Sequence, residues 1–504
     1  MQRATVRRNQ YQDSVRLMTI SREAGALPGV AKVLALLGTE ANRLLVSQLG
    51  LDDPGIARAT ANDLLICVEA ADAAACEAAL ARVDALLKVE APRDPGISDP
   101  SSIEEALGRL PAAKLALFSV PGPFAKLDVV SALEHGLHVM LFSDNVALED
   151  EVHLKQLAAK KGLLLMGPDC GTAIVNGVPL AFANVVRRGA IGVVGASGTG
   201  IQEVTSLIDR FGGGISHALG VGGRDLKREV GGIMSELALR LLAEDPATRR
   251  LVLISKPGDP EVTRRVLAVA GATGLPTIAC LLGGAGSGLE LPGVRVVNTL
   301  EEAALAAVGR APEPPEALET VLARARALAS GRRYLRALYS GGTLCYETLL
   351  LAEGVLEVHS NIARKKELRL PYPARGKAHA CIDLGEDEFT QGRPHPMIDP
   401  GLRNERLAEE LADPAVRVVL LDVVLGYGSS PDPARGLAEV LARARRELPD
   451  GGPLVLAHVC GTEGDPQSLS RQEAILREAG VLLFATNAQA ARAALAVAGE
   501  GAVP

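Results

Sequence analysis

The feature of this sequence that most constrains its fold is a strand, a glycine-rich loop and a helix that occur in this order twice. Residues 190–211 read AIGVVGASGTGIQEVTSLIDRF, and residues 334–353 read YLRALYSGGTLCYETLLLAE. In both, an apolar run precedes a Gly/Ser/Thr loop and a helical segment, as in a parallel α/β sheet. The unpaired N–H groups and the dipole at such a helix start favour a phosphate or carboxylate. Two of these helix starts predict one anion held from both sides, and hence phosphoryl or acyl-phosphate chemistry.

Composition narrows the class of protein. The 504 residues are enough for roughly three or four domains. Lys and Arg number 53 against 60 Asp and Glu, and aromatic residues make up only 3%, so nucleic-acid binding is not expected. The N-terminus lacks the apolar segment of a signal peptide, and no apolar run approaches the ~20 residues of a membrane span. Seven scattered cysteines without a CxxC pair indicate reduced thiols. These features predict a cytoplasmic protein that does not bind membranes.

The alternation of apolar runs and helical segments predicts an α/β protein with five successive parts. Residues 1–102 form a small α+β domain that ends in a Pro/Asp/Ser-rich linker. Residues 103–187 form a Rossmann-like domain with a parallel sheet. Residues 188–310 and 331–504 form two flavodoxin-like domains, each opened by one of the glycine loops, and a linker helix at 311–330 joins them.

Within the N-terminal domain, four segments have a predicted local structure. Residues 14–21, SVRLMTIS, and 63–70, DLLICVEA, are predicted to be strands. Residues 29–37 and 72–87 are predicted to be helices, because their apolar residues recur at helical spacing.

The two later domains have the features of internal copies. In each, a helix ends in Asp-Pro-Ala, at 245–247 and at 413–415, and an apolar strand follows. The second copy carries an insertion around 364–397, which is predicted to be a lid, a partner contact or a polar connecting loop. A duplicated α/β unit predicts a pseudo-two-fold pair with its two glycine loops face to face.

Several segments carry a family resemblance. The segments SVPGPF at 119–124, LLLMGPDCGT at 163–172 and ASGTG at 196–200 resemble the α subunit of the succinyl-CoA synthetase superfamily. The runs GPDCGTAIVNGVPLAFANVVRRGAIGVVGASGTG at 167–200 and GRPHPMID at 392–399 resemble the FdrA family within that superfamily. The resemblance implies a CoA-binding-like Rossmann domain followed by two ligase-type flavodoxin-like domains in one chain.

The sequence also departs from the ADP-forming ligases of that superfamily. Those enzymes carry a phosphorylated histidine in a Gly-His-Ala-Gly-Ala loop, whereas residues 281–288 here read LLGGAGSG, and none of the eight histidines lies there. A nucleotide-binding ATP-grasp-like domain and the N-terminal CoA loop are not found in the sequence. These departures favour a substrate that is already an activated phosphate, and the FdrA resemblance implies phosphate and carbamoyl phosphate as the substrates. No certain cofactor and no metal are predicted, and CoA is left open.

The FdrA resemblance implies the large subunit of a carbamoyltransferase in allantoin breakdown. Its reaction would be oxalurate + phosphate ⇌ oxamate + carbamoyl phosphate. A second transferase subunit, oligomeric assembly and a functional link to carbamate kinase are implied with it. Two alternatives stay open: a subunit of an ADP-forming acyl-CoA ligase, and a non-catalytic regulatory or scaffold subunit.

The candidate site residues fall into three groups. The predicted phosphate ligands share a place at the two helix starts: Ser197, Gly198, Thr199, Gly200, Gly341, Gly342 and Thr343. The predicted substrate-binding residues share a place in loops that follow strands: Asp169, Cys170, Thr172, Arg224 and Lys256. The predicted catalytic residues are Thr199, Thr343 and His458.

Each of these residues also has a purely structural interpretation. Ser and Thr at helix starts serve as caps, and Gly serves tight turns. Cys170 is either a nucleophile or a packing residue, and no base is identifiable beside it. His458 is either a general acid or a core histidine. With Cys460 and Glu463 it also hints at a metal site, but these ligands are too few to predict one.

Overall fold

The computed structural model forms two compact units, Met1–Asp99 with Leu384–Asp399, and Pro100–Asp383 with Pro400–Pro504. The structure describes most of the chain, in these segments: 1–10, 12, 14–39, 42–43, 46–47, 54–60, 62–88, 100–284, 291–311, 318–328, 331–390, 394–448 and 452–499. Parts of the predicted linkers at 91–102 and 311–330, and residues 285–288 of the LLGGAGSG loop, lie outside the described residues.

The N-terminal unit is a small α+β domain. Its sheet is antiparallel, in the order β1-β3-β2, and an apolar core lies on each face of the central strand. The elements up to residue 88 are β1 (Gln2–Arg7), α1 (Ser14–Gly25), β2 (Val30–Leu37), α2 (Pro54–Ala57), β3 (Leu64–Ala70) and α3 (Ala73–Lys88).

Two of the four local predictions for this domain are wrong. Residues 14–21 belong to helix α1, where the buried Leu17, Ile20 and Ala24 recur at three- and four-residue spacing. Residues 30–37 form strand β2, where buried residues alternate with less buried ones along one face. In both segments, short apolar runs fit either period, and burial in the same apolar core decides between them. The predicted strand at 63–70 and helix at 72–87 are confirmed as β3 and α3.

The second unit begins with a three-stranded parallel sheet in the order β4-β5-β6. Its strands are short and apolar, and helices connect them, as the sequence predicts. The elements are α4 (Ile103–Arg109), β4 (Leu115–Phe118), α5 (Gly122–Glu134), β5 (His138–Leu141), α6 (Leu148–Lys160) and β6 (Leu165–Met166).

A seven-stranded sheet follows, in the order β13-β12-β11-β9-β10-β7-β8. Strands β9 to β13 are parallel, and a β7–β8 hairpin pairs antiparallel with β10. The elements are β7 (Thr172–Val175), β8 (Val178–Ala181), β9 (Arg188–Gly195), α7 (Gly198–Arg210), β10 (Ile215–Gly220), α8 (Ile233–Glu244), β11 (Arg250–Ser255), α9 (Pro260–Ala272), β12 (Thr277–Leu281), β13 (Val294–Val297) and α10 (Leu300–Val308).

The hairpin places residues from both sides of the predicted 187/188 boundary in one sheet. Asn176 and Gly177 form its turn, both with positive φ, and Asn-Gly is the strongest short hairpin signal a sequence offers. The Asn-Gly pair was therefore the signal in the sequence that could have predicted the hairpin. The domain limits themselves remain a prediction.

The third sheet is entirely parallel, in the order β15-β16-β14-β17-β18-β19. The elements from the linker onward are α11 (Leu318–Arg326), β14 (Tyr334–Tyr339), α12 (Gly342–Ala352), β15 (Val358–His359), a 3₁₀ turn (Lys366–Leu368), β16 (His379–Asp383), α13 (Asp387–Thr390, in the first unit), α14 (Gly401–Ala412), β17 (Val416–Val424), α15 (Pro433–Glu447), β18 (Leu454–Cys460), α16 (Leu469–Glu478), β19 (Leu482–Phe484) and α17 (Asn487–Ala498).

The two larger sheets place their glycine loops at equivalent positions. Strand β9 lies between β10 and β11, and β14 lies between β16 and β17. In both sheets the chain therefore crosses from one side of the first strand to the other. Ligands of α/β proteins bind at such a point, beyond the carboxyl ends of the strands. Within the described residues, no helix has the length and apolar character needed to span a bilayer.

Candidate functional site at the paired helix starts

The starts of helices α7 and α12 are in direct contact. The hydroxyls of Ser197 and Thr343 are hydrogen-bonded to each other, and the Thr343 N–H donates to the Thr199 hydroxyl over 3.3 Å. A Cβ on Gly341 would lie 3.1 Å from the Thr199 methyl group, so this glycine permits the close approach. The structure thus brings the two glycine loops together.

The first loop leaves the start of α7 open. Ser197 caps the helix, since its hydroxyl accepts from the Gly200 N–H at 3.0 Å. No acceptor among the described residues takes the N–H groups of Gly198 and Thr199. The helix start therefore keeps two donors and the positive end of its dipole for a ligand.

The second loop is already occupied by protein carboxylates. Asp422 accepts from the Ser340 N–H at 2.8 Å and from the Gly341 N–H at 2.7 Å. A Cβ on Gly342 would overlap the Oδ2 atom of Asp383, so that carboxylate also lies against the start of α12. Burial raises the pKa of Asp422, although Arg403 and the two N–H bonds oppose the shift. The glycine loop of α12 therefore faces two acidic side chains.

The first loop has no acidic residues at the equivalent positions. Ile254 stands at the same offset from its Asp-Pro-Ala segment as Asp422 does from the second. Gly220 ends β10 beside the loop strand, where Asp383 ends β16. An isoleucine and a glycine therefore replace the two carboxylates, and the two helix starts differ in charge although they share a backbone pattern.

Two buried glutamates, which sequence reasoning missed, connect the two halves. Glu203 on α7 and Glu347 on α12 each lie four residues after the loop threonine. Glu203 accepts from the Asn487 N–H at 3.3 Å, and Glu347 accepts from the Leu300 N–H at 2.7 Å. Asn487 and Leu300 are the first residues of α17 and α10, so each carboxylate caps a helix of the opposite half. Their shared spacing was the signal available in the sequence.

His458 lies in the core rather than at the loops. Its Nε2 atom is 2.8 Å from Oε2 of Glu203, and its Nδ1 atom is 3.2 Å from the Phe484 carbonyl. Because a carbonyl can only accept, this geometry has Nδ1–H donating to Phe484, and it leaves Nε2 within hydrogen-bond distance of Glu203. Burial acts to raise the pKa of Glu203, but the charge and hydrogen bond of His458 bring it below its usual value. The geometry fits the core-histidine interpretation, and the general-acid role stays a prediction.

The loop at 169–172 contributes one side chain to the first glycine loop. Thr172 donates to the Phe182 carbonyl at 2.6 Å, and its oxygen would lie 3.4 Å from a Cβ on Gly198. Asp169 has positive φ, and its N–H donates to the Ser143 carbonyl at 2.9 Å. Cys170 is fully buried, and burial raises its pKa to about 12, so it is a protonated thiol at neutral pH. The packing interpretation of Cys170 therefore fits the structure better than a nucleophile.

Arg224 and Lys256, the two predicted cations, have different surroundings. Arg224 is 2.7 Å from Glu151, and donates to the Val146 carbonyl at 2.8 Å, so its guanidinium is engaged within the protein. Beside it, the fully buried Lys155 is paired with Glu151 and Asp225. Lys256 follows β11, half-buried, and has no carboxylate partner within ion-pair distance in the described chain.

The other sequence candidates form no metal centre. Across the described segments, no group of three or more His, Cys, Asp or Glu side chains has a metal-binding arrangement. Glu463 instead accepts hydrogen bonds from Ser468 and Ser470, near the surface. In the insertion, His379 accepts from the Leu335 N–H at 3.1 Å. His395 and Asp399 belong to the first unit, and residues 391–393 of the insertion lie outside the described chain.

Comparison with known proteins gives two family matches and a relative that is similar over nearly the whole chain. The CoA-ligase family matches residues 338–497, and the family described as AllF, heavy metal-associated domain, matches residues 1–101. The chain is 42% identical over 497 residues to the uncharacterized protein YahF of Escherichia coli (strain K12), with 96% of each chain covered. The chain belongs to the YahF family.

More distant relatives of this YahF-family chain are acyl-CoA ligases. It is 28% identical over 194 residues to succinate–CoA ligase [ADP-forming] subunit alpha of Aquifex aeolicus (strain VF5), covering 37% of this chain and 62% of the relative. Among solved structures, PH0766 from Pyrococcus horikoshii OT3 aligns at 20% identity, over 81% of this chain and 88% of that one. The TM-score of this alignment is 0.30.

These matches support the coarser part of the functional expectations. They show a CoA-ligase fold of the succinyl-CoA synthetase-like superfamily, and relatives that are enzyme subunits. None of them supports carbamoyl transfer, allantoin breakdown or a link to carbamate kinase, and none shows membership of the FdrA family. The ligase alternative fits this YahF-family chain better.

Proposed function

We propose that this chain is an enzyme subunit that transfers an acyl group to or from phosphate, with the phosphate bound at the start of α7. The observation that carries the proposal is the open pair of N–H groups at Gly198 and Thr199, beside the hydroxyls of Ser197 and Thr343. Donors of this kind at a helix start match the oxygens and the charge of a phosphate.

The second helix start has a different role in this proposal. Asp422 and Asp383 already neutralise the start of α12, and a phosphate placed there would meet two carboxylates. Two like charges at 4 Å repel each other by about 4 kcal/mol near a protein surface. In this proposal the second half contributes only the Thr343 hydroxyl to the phosphate site. The N–H donors that bind the phosphate come from the start of α7 alone.

The proposed reaction is the transfer of an acyl group to a bound phosphate. A phosphate oxygen held at α7 bonds to the acyl carbon, and the bond from that carbon to its leaving group breaks. The N–H donors of the helix start stabilise the negative charge on the oxygens of the reacting groups. Because the phosphate is already bound, the reaction avoids the entropic cost of a bimolecular encounter. Such a step needs no protein nucleophile.

The first candidate activity is that of an acyl-CoA ligase of the ADP-forming type. The CoA-ligase match and the ligase relatives support it. In this form of the proposal the phosphate site releases or receives an acyl phosphate, and CoA is the other acyl acceptor. A partner chain would supply nucleotide binding, in an oligomeric enzyme.

The second candidate is carbamoyl transfer, and one observation favours it. Residues 281–288 contain no histidine, so the loop that carries phosphohistidine in the ligases has no phosphate carrier here. With oxalurate, phosphate would bond to the carbamoyl carbon, the carbon–nitrogen bond to oxamate would break, and that nitrogen would take a proton. Carbamoyl phosphate and oxamate would be the products.

Titration of the full chain with inorganic phosphate tests the shared proposal. Gly198→Asp places a carboxylate at the start of α7, where a Cβ has room, and Gly198→Asn is its uncharged isostere. We expect at least ~10-fold weaker phosphate binding for the Asp variant than for the Asn variant, because a like charge opposes the ligand. Equal phosphate binding by the two variants would refute the α7 site.

The enzyme purified with its natural partners distinguishes the two activities. Formation of acyl-CoA that depends on ATP and CoA supports the ligase. Phosphate release from carbamoyl phosphate that depends on oxamate supports the transferase. Activity in one assay and not in the other decides between them.

A further inference from the structure

A second cluster of polar groups lies beyond the strand ends, beside the first glycine loop. Lys256 follows β11, Gly283 follows β12, and Tyr346 and Arg364 belong to the second half of the same unit. The Lys256 ammonium is 5.9 Å from the centre of the Tyr346 ring. A Cβ on Gly283 would lie 3.3 Å from the Tyr346 hydroxyl and 3.5 Å from the Arg364 guanidinium. Loops from both halves therefore meet around one tyrosine.

The two cations of this cluster are available for a ligand. In the described chain, Lys256 has no carboxylate within ion-pair distance, although it is half-buried. Arg364 is exposed, interacts with the Tyr346 hydroxyl, and is 3.4 Å from the exposed Glu353. An exposed ion pair contributes about 0–1 kcal/mol, so Glu353 does not neutralise Arg364 against an incoming anion.

The cluster is adjacent to the phosphate site. The Ala196 N–H of the first glycine loop donates to the Ile254 carbonyl at 2.9 Å, and Lys256 lies two residues beyond Ile254. On α12, Tyr346 lies three residues after Thr343, on the same helix face and roughly 5 Å along the axis. The cations therefore border the place where the acyl group would lie.

We propose that Lys256 and Arg364 form a carboxylate-binding subsite for the organic substrate, with Tyr346 as a positioning residue that orients Arg364. This inference rests on the proposed function and names its substrate class: short acyl compounds that carry a carboxylate. A guanidinium binds a carboxylate through paired hydrogen bonds, and an ammonium adds a point charge. Such a subsite serves either candidate activity.

Tyr346 connects the subsite to the phosphate site along helix α12. Its backbone lies about one helical turn, ~5 Å along the axis, beyond that of Thr343. Oxamate and succinate, two short compounds that carry a carboxylate, are therefore suitable probes.

Titrations of the full chain with separate probes test the subsite. The probes are oxamate, succinate, the uncharged oxamide, and inorganic phosphate. We expect Lys256→Gln and Arg364→Gln to bind the preferred carboxylate at least ~10-fold more weakly, with phosphate binding within about 2-fold of wild type. Tighter binding of oxamate than succinate indicates an amide-bearing substrate, and the reverse indicates a dicarboxylate; either order supports the subsite.

Matched control variants distinguish a specific loss of carboxylate binding from a loss of folding. Arg375→Gln removes another exposed arginine of the same insertion, paired with Glu409 at 3.1 Å, and should bind carboxylates like wild type. Lys256→Arg keeps the charge and should retain most of the affinity. Tyr346→Phe should weaken carboxylate binding while leaving phosphate binding unchanged, which a merely structural loss would not do.

The outcomes separate this inference from the proposal beneath it. Carboxylate binding that is unchanged in both Gln variants, or oxamide binding as tight as oxamate binding, would overturn the subsite. If Gly198→Asp still loses phosphate binding in that case, the phosphate proposal survives. If wild type binds the carboxylate through Lys256 and Arg364 but phosphate binding does not depend on Gly198, the subsite survives and the phosphate site fails.

Discussion

The two glycine loops share a sequence pattern and differ in electrostatics. At α7, Gly198 and Thr199 keep their N–H groups open, whereas at α12 the buried Asp422 takes two loop N–H groups. The comparison teaches that a repeated backbone motif does not imply a repeated binding site. What surrounds the motif on neighbouring strands decides whether the helix start is free for a ligand.

The two buried glutamates that connect the halves also share a position and differ in their surroundings. Glu203 and Glu347 cap opposite helices in the same way, but only Glu203 has a histidine partner, His458. Burial raises the pKa of Glu347 to about 7, although Asn487 and the Leu300 N–H act against the shift, and Glu203 and Glu301 add to it. One half therefore holds a carboxylate paired with a histidine, and the other holds a carboxyl group whose pKa is about 7.

The largest expected effect comes from Asp422→Ala. The change leaves two loop N–H groups and the buried Arg403 without this carboxylate, and we expect it to lower the free energy of unfolding by about 3–5 kcal/mol. The equivalent residue of the first half gives the control, because Ile254→Val should cost only about 0.5–1.5 kcal/mol. Denaturant unfolding measures both, and equal costs would contradict the assigned difference between the loops.

The next effect is a pH dependence of stability in the second half. Because the folded-state pKa of Glu347 lies above its usual 4.5, the folded protein binds the proton more tightly, and stability falls as pH rises from about 5 to 8. Glu347→Gln should reduce that fall by roughly 3 kcal/mol. The exposed Glu353→Gln is the control and should leave the slope unchanged. Glu203→Gln should act in the opposite sense, because a lowered folded-state pKa stabilises above the unfolded pKa and is lost on acidification.

The smallest expected effect compares one methyl group in the two loops. Gly342→Ala would push into the Asp383 carboxylate and should destabilise the protein by about 1–3 kcal/mol. Gly198→Ala has room beside Thr172 and should change the unfolding free energy by no more than about 0.5 kcal/mol. Thermal unfolding of the pair checks this, and a greater loss in the Gly198 variant would reverse the comparison.

The sequence predicted those parts of the molecule that depend on local pattern. Apolar runs such as 250–255 and 454–460 are strands because they fit a sheet covered on both faces, and Ser197 caps α7 as a helix-start serine does. The predicted meeting of the two loops follows from the duplicated unit. These features need no knowledge of distant residues.

The carboxylates around the second loop could not be predicted in this way. Asp422 lies on β17 and Asp383 on β16, and both are distant in sequence from the Gly341 loop that they approach. The partnership of Glu203 with His458 joins residues of different halves, and nothing local marks it. In the N-terminal domain, α1 and β2 were mistaken because packing, rather than local pattern, selects between the two periods.

Through Glu203 and Glu347, each half supplies a cap for the last helix of the other half. Helix α10 begins on a carboxylate from α12, and α17 begins on a carboxylate from α7, so neither half contains all the groups that complete its own last helix. A single chain fixes their ratio at one to one and keeps their effective concentration high. The duplication therefore behaves like a heterodimer within one chain, in which the helix start of α7 is open and the loop before α12 is occupied by Asp422.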